Sequence, residues 1–508
     1  MSEGKPLLVN FPLCGQSMDA RKSLLSARNL GLLALLLLFF RITYPYVTGL
    51  GLFFDEAYYH YWSNFPDWGY YSKPPMIAWL IYATTHLFGS DAEWAVRISS
   101  PLLYAASAWC IYLSGKALYG DKAGLYAAVI FFTLPLVSFN SLFITTDAPL
   151  LFFWSLAIYL TINLKRMAAA WWLLALVVGC GLLSKYTMLF WILGFALYHL
   201  WRKTPAAYWV AGKTWVAISA TVLLVMPNLL WNWQHDFISF QHTSEISKLQ
   251  GQLFHPLRLL EFVAGQALVF GPLAFYALLV GMKFLHVHSD ADKLMLSMLL
   301  PLLLVMMIQA LLAKANINWA APVYVAASIL LASQLARTQQ RHWLRAIVSV
   351  NLLIASLFYT YPHIQKMLQI EATIKNTPFH RLAGWPELFR SIPQVVNPAA
   401  QQVWLSDSRL VLSYLHYYLP LAGDRAALHL LSFNPDGHVR HQFDLQHDLD
   451  QSQYNSFVFV SEAERDLTAC FTTSEKIGQL QYKVYPSLTR HLYFYHLAGF
   501  KGYAYCHE

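Results

Sequence analysis

The sequence predicts a polytopic α-helical membrane protein that ends in a soluble α/β domain, and three observations predict it. Of its 508 residues, 57% are hydrophobic and only 12% are charged, a balance that no ordinary soluble chain of this size has. Apolar runs of spanning length, roughly 17 to 25 residues, begin near Leu30, Trp94, Leu125, Asp147, Ala170, Thr187, Thr214, Phe262, Leu294, Asn318 and Leu344. Beyond about Tyr361 the hydropathy falls, and short β-forming segments replace the long runs.

Residues 1–28 form a polar, basic arm, expected to be cytoplasmic. The apolar run after it has no small-residue cleavage site, so it is read as an uncleaved anchor. With the N-terminus inside, Lys116, Lys122, Lys165, Arg166, Arg202, Lys203, Lys213, Lys283, Lys293, Arg337, Arg341 and Arg345 all fall in cytoplasmic loops. That is the positive-inside rule. The net charge of +8 therefore sets orientation and does not point to a nucleic-acid partner. About eleven spans leave the C-terminus outside, where the remaining cations are Lys73, Arg97, Lys185, Lys248, Arg258 and Lys314. Arg41 lies inside the first span, where a charge costs about 2.5–3.5 kcal/mol on insertion scales. It either serves a function there or snorkels to the interface beside Tyr44 and Tyr46.

The outer loop at 49–93 carries the densest chemistry, in GLFFDEAYYHYWSNFPDWGYYSKPP. Asp55, Glu56, His60, Asp67 and Lys73 stand among Tyr, Trp and Phe, the residues that gather where hydrocarbon meets water. Residues 54–65 and 75–88 are predicted to be short amphipathic helices separated by the turn-rich PDWGYYSKPP. Adjacent Asp55 and Glu56 point about 100° apart on a helix, so they must have different jobs. One is expected to cap the helix N-terminus, and Glu56 is the better candidate.

Asp147, in FNSLFITTDAPLLFFW, is either an N-cap ahead of Pro149 or a second acidic site on the same outer face. Lys185, in GLLSKYTMLF, either snorkels or binds an anion. The outer stretch 232–261 holds His235, Asp236, His242, Glu245 and His255, but their spacing matches no metal signature and a lid over a substrate groove fits better. KANINW at 314–319 offers Asn318 and Trp319 for sugar or phosphate recognition, or its asparagines as helix caps.

Residues 362–508 read as a small α/β domain outside the membrane, large enough for its own core. It is either a stabilising appendage or a part that shapes acceptor access. Cys470 and Cys506 share it and can pair in an oxidising compartment, whereas Cys14, Cys110 and Cys180 are scattered. No glycine-rich phosphate loop occurs, which argues against ATP or a nucleotide sugar.

Taken in order, FDEAYY, YYSKPP, VRISSPLLY, TTDAPLLFFW, SKYTMLF and NINWAAPVY resemble the bacterial lipid-linked-sugar glycosyltransferases of the protein-mannosyltransferase superfamily. That group includes the aminoarabinose transferase of lipid A and has the multi-helical membrane fold called GT-C. The resemblance spans roughly residues 28–340. It implies a GT-C fold with a polyprenyl-phosphate sugar as donor, and a catalytic role for Asp55 with Asp147 as the second acidic position. Lys73 and Arg97 match the positions expected to hold the donor phosphate. Ser72 stands where the aminoarabinose transferases carry an acidic residue, a departure that argues against that sugar and against a metal site there.

The chemistry is consistent with this on its own terms. Transfer from a polyprenyl phosphate needs a base for the acceptor hydroxyl, cations for the departing phosphate and a groove for the isoprenoid. Asp55, flanked by Glu56 and Asp147, supplies the first, and Lys73 with Arg97 or Lys185 the second. Tyr58, Tyr59, Tyr71, Asn318 and Trp319 are candidate substrate contacts. The expected reaction is direct displacement with inversion in a bacterial inner membrane, with the active site periplasmic. Lipid A or a lipopolysaccharide is the expected acceptor. The residues specify no cofactor, and a divalent metal is left open. Rival readings are a protein O-glycosyltransferase of the same fold and a transporter or flippase of lipid-linked sugars.

Overall fold

The computed structural model describes residues 27–167, 169–204, 212–247, 253–284, 289–398, 403–420 and 428–507. Most of the basic N-terminal arm, with Cys14, and Lys248 lie outside the described residues. Every predicted apolar run falls on helix: Ala27–Val47, Ser99–Tyr119, Asp121–Thr133, Asp147–Asn163, Ala170–Ser184, Leu189–Trp201, Gly212–Gln234, Asp290–Leu312, Val323–Arg337 and Arg341–Met367, with the run near Phe262 treated below. Four of the described helices, Ala27–Val47, Gly212–Gln234, Asp290–Leu312 and Arg341–Met367, are long and apolar enough to cross a bilayer by themselves. Leu35, Leu36, Phe39 and Leu223 stand exposed on two of them. Such apolar exposure suits a face turned to lipid.

Two runs break where the sequence demands it. The span expected near Phe262 is a pair of helices, Pro256–Phe270 and Pro272–Gly281, bent by 103°. Gly271 between them has φ +91°, which glycine adopts freely, and Pro272 has no N–H to continue the first helix. The stretch from Ala170 to Trp201 divides at Lys185, whose backbone is extended before the 3-10 turn Tyr186–Met188.

Arg41 does not snorkel. It is buried, and its Nη2 donates to the Phe132 carbonyl at 2.7 Å and the Ser138 hydroxyl at 2.9 Å. Phe132 lies in the last turn of Asp121–Thr133, where carbonyls lack partners within the helix. The arginine thus supplies a donor that this helix end needs.

On the outer side, the two predicted amphipathic helices are Phe54–Asn64 and Met76–Phe88. The turn between them is pinned to the helix Gly212–Gln234, because Asp67 Oδ2 accepts from Trp231 Nε1 at 2.8 Å. Gly69 lies flat on that indole, and a Cβ there would sit 2.4 Å from Trp231 Cε3.

The C-terminal part is a five-stranded sheet with β1 Val403–Ser406, β2 His429–Ser432, β3 Ser456–Ser461, β4 Phe471–Tyr485 and β5 Leu488–Phe500, in the order β2-β1-β3-β5-β4. β1 is parallel to β2 and β3, and β5 is antiparallel to β3 and β4. Parallel β1 and β2 need a crossover, and the helix Arg409–Tyr418 lies within it. Cys470 and Cys506 form a disulfide. Helix and sheet share one hydrophobic core with the outer loop, in which Tyr58, Trp62, Ile77 and Ile144 meet Trp385, Leu412, Tyr414, Leu415, Val458 and Phe494. The sheet also has a second core made only of its own domain, with Val403, Leu405, Leu431, Phe457, Phe459 and Leu497, so the domain packs on the outer loop on one side and on itself on the other.

Candidate active site

The adjacent acids at 55 and 56 separate as helical geometry requires. Glu56 is buried, and its Oε2 accepts the Phe53 N–H at 2.9 Å, which caps the helix Phe54–Asn64 as expected. The same carboxylate takes Arg97 Nε at 2.8 Å and Nη2 at 2.6 Å, and Oε1 accepts the Ile144 N–H at 2.9 Å. Arg97 also donates to the carbonyls of Leu50 and Gly51. Both charges are therefore spent inside the protein, and Arg97 is not brought to Lys73.

Asp55 faces the other way. Its side chain is 35% exposed, and Oδ1 lies 3.1 Å from Arg409 Nη2. That exposure is to a cavity of about 1210 Å³, walled by Phe53, Tyr59, Phe143, Phe262 and Phe358 and carrying Arg258, Lys314 and Arg381. Burial among these rings pushes the Asp55 carboxyl above the ordinary carboxylate range, and the charges of Arg409, then Lys73, pull it back. Lys73, held in the turn by a bridge to Tyr70, has its pKa lowered to about 8 by burial and then by Lys185.

A second cluster joins three residues from distant parts of the chain. Asp147 opens the helix Asp147–Asn163 and is buried; its Oδ1 accepts from Lys185 Nζ at 2.7 Å and its Oδ2 from Asn318 Nδ2 at 2.8 Å. Lys185 reaches it because the chain is extended at that point. Trp319 is next to Asn318 in the 3-10 turn Ile317–Ala320 and is half-buried. The two clusters are neighbours, since the charges of Asp55, Asp147 and Lys185 all act on Lys73.

The tyrosines divide. Tyr59 lines the cavity. Tyr58 is fully buried under the sheet domain, its hydroxyl accepting from the Gln442 N–H. Tyr71 is buried with its ring 4.9 Å from His242, and its N–H donates to Gln442 Oε1 at 2.6 Å. Helix Ile238–Ser247 covers this turn through Ser239, whose hydroxyl donates to the Tyr70 carbonyl at 2.7 Å. The acids and histidines of 232–261 scatter: His235 stacks on Trp231 and Glu245 faces His438. Among the described residues no three His, Cys, Asp or Glu side chains converge as metal ligands would.

Sequence reasoning missed Arg381 and Arg409. No local signal marks either one. Arg409 follows a good N-cap, Ser408, whose hydroxyl accepts from the Val411 N–H, and it reads as the first residue of an ordinary amphipathic helix.

Residues 72–231 match the dolichyl-phosphate-mannose-protein mannosyltransferase family. The chain is 32% identical over 404 residues to lipid A galacturonosyltransferase RgtD of Rhizobium johnstonii, an alignment that covers 78% of this chain and 84% of that protein. Its fold is similar to that of ArnT from Cupriavidus metallidurans in the apo state, with a TM-score of 0.62 and 14% identity over 92% of this chain and 97% of the other. ArnT bound to undecaprenyl phosphate is similar over the same extents, with a TM-score of 0.60 and 14% identity.

Proposed function

The chain belongs to the GT-C superfamily of membrane glycosyltransferases that use lipid-linked donors, and on that premise we propose that it transfers a sugar from a polyprenyl phosphate to lipid A or another part of lipopolysaccharide, with Asp55 as the base. The observation that carries this reading is Asp55 open to a large aromatic-walled cavity, with Lys73 close enough for its charge to act on the carboxylate. In the step we infer, the Asp55 carboxylate takes the proton of the acceptor hydroxyl as that oxygen bonds to the anomeric carbon. The bond from that carbon to the phosphate oxygen breaks, and the electron pair leaves with the polyprenyl phosphate, whose charge Lys73 and Lys185 neutralise. Attack opposite the leaving group inverts the anomeric centre. Asp147 serves by holding Lys185 and Asn318 in place, and Glu56 by fixing the start of the Asp55 helix.

For the sugar we infer a hexuronic acid. RgtD is named for galacturonosyl transfer to lipid A, and Arg258, Lys314 and Arg381 on the cavity wall exceed what one phosphate needs. The site is assigned to the periplasmic face of a bacterial inner membrane. Supporting this are the lysines and arginines of the predicted inner loops, three of which, Lys165, Arg166 and Arg202, gather in one small pocket away from Asp55. A disulfide in the sheet domain also suits an oxidising compartment.

The test is mass spectrometry of carrier lipids and lipopolysaccharide from cells with the wild-type chain, with Asp55→Asn and with the gene deleted. Loss of one uronic-acid mass from lipid A in both mutants, with the carrier-linked sugar accumulating, is the expected result. An unchanged lipid A and no accumulation would overturn the reading.

A further inference from the structure

We propose that Arg409, delivered by the C-terminal sheet domain, is a positioning residue of the active site that holds the Asp55 carboxylate in orientation and ionised until the acceptor arrives. This rests on the reading of Asp55 as the base.

The geometry separates this pair from a structural one. Glu56 and Arg97 show what a structural pair looks like here: both side chains are nearly sealed from solvent, two nitrogens meet the carboxylate, and backbone groups fill the remaining sites. Asp55 and Arg409 meet through one oxygen and one nitrogen at 3.1 Å, with 35% and 30% of the side chains exposed. Among the described residues no other cation comes within ion-pairing distance of Asp55, and its second oxygen faces no such partner. A pair one-third exposed to a cavity adds little to stability, yet aromatic rings hold this one in place. The Arg409 guanidinium stacks on Phe54 at 5.0 Å and Tyr58 at 5.2 Å, both on the helix that carries Asp55.

The helix behind Arg409 is anchored to the same loop. The Tyr414 hydroxyl donates to the Leu52 carbonyl at 3.0 Å, and the Leu52 N–H donates to the Tyr418 hydroxyl at 2.6 Å. Gly51 is in the same seam, where a Cβ would lie 2.4 Å from Pro386 Cγ and 2.9 Å from the Tyr418 hydroxyl. Arginine and aspartate are thus fixed on two surfaces locked together within a few residues of each, so their separation is set by packing and not by two free side chains.

The titratable and charged groups that act on Asp55 are Arg409 and Tyr414 from the helix of the sheet domain, Lys73 from the turn, Arg381 from the segment ahead of Trp385, and Glu56 and Tyr59 on its own helix. Burial and Glu56 favour the protonated carboxyl; Arg409 is the largest opposing influence. Without it, Asp55 stays protonated to higher pH and a smaller share of enzyme has a working base.

The experiment uses the purified full chain in nanodiscs, with carrier-lipid and lipid A extracts from deletion cells as donor and acceptor. Turnover is measured against pH for wild type, Arg409→Ala, Arg409→Lys and Asp55→Asn. We expect Arg409→Ala to lose about tenfold or more in kcat/KM at neutral pH, the scale of a misplaced catalytic group, with its acidic limb moved to higher pH. Arg409→Lys, which keeps the charge and loses the fork, should return the limb to the wild-type position. A folded Arg409→Ala with wild-type rate and limb would overturn the inference while inactive Asp55→Asn left the base standing; an active Asp55→Asn would remove the base itself. Should Arg409→Ala not fold, Arg409→Gln keeps most of the stacking without the charge and reads out the same limb.

Discussion

Lys73 keeps its proton only below about pH 8, so its grip on a phosphate should have an alkaline edge. The protonated form binds, hence donor KM should hold steady below that pH and rise above it. Lys73→Arg should flatten the rise, because a guanidinium stays charged beyond pH 12. Lys73→Ala should cost roughly 10- to 100-fold in kcat/KM, from the about 1.5–3 kcal/mol of a charged hydrogen bond. Asp55→Asn should abolish turnover with the melting temperature near that of wild type, since a one-third exposed side chain supports little of the fold. Arg97→Ala should do the reverse, destabilising by about 3–5 kcal/mol through the uncompensated Glu56 charge it leaves, which thermal unfolding would read. That residues 55 and 56 face different partners was legible in the sequence, because two neighbours on a helix cannot face one site. The partners were not: Arg97 and Arg409 both read as lone arginines near a helix start, and only packing sends one to Glu56 and the other to Asp55.

Among the elements, the turn between the two outer helices is the least forgiving. Gly69→Ala would drive a methyl into the Trp231 indole, which is hydrogen-bonded to Asp67 and cannot swing away freely. A loss of about 1–3 kcal/mol is expected, together with a raised donor KM because Lys73 follows in the same turn; unfolding and steady-state kinetics on one preparation would check both. Periodicity and aromatic content found both outer helices, since their amphipathic patterns are local. The bend at Gly271 escaped notice inside an apolar run, although the Gly-Pro pair at 271–272 carried the signal. Asp147, Lys185 and Asn318 were each noted separately on the outer side, yet nothing in the chain stated that one carboxylate would collect the other two.

At the scale of the whole molecule, the sheet domain shares one core with the outer loop and holds a second core of its own, which includes Cys470. Breaking the disulfide, which joins cysteines 36 residues apart, should loosen this second core first and reach the active site only through the sheet that lies between the two. Cys470→Ser is expected to weaken the sheet domain by about 2–4 kcal/mol, and transfer should fall in step with protease resistance across a temperature series. Activity that outlasted the sheet domain would argue that the two parts act separately. Composition and hydropathy place the start of the soluble part at residue 362, whereas the helix Arg341–Met367 runs past that point and the first strand begins at Val403. Hydropathy could not reveal the interior that the outer loop and the sheet domain share, because the buried rings of 403–500 pair with rings more than three hundred positions away.

Asp55 and Arg409 also lie far apart in time. A ribosome adds about 5–20 residues per second, so on the order of tens of seconds separate the emergence of the aspartate from that of its arginine. Through that interval the nascent chain carries Asp55 without the arginine that pairs with it. Completion of this pair therefore waits for the last domain to be translated, and a chain cut short before residue 409 would leave Asp55 without its counter-ion.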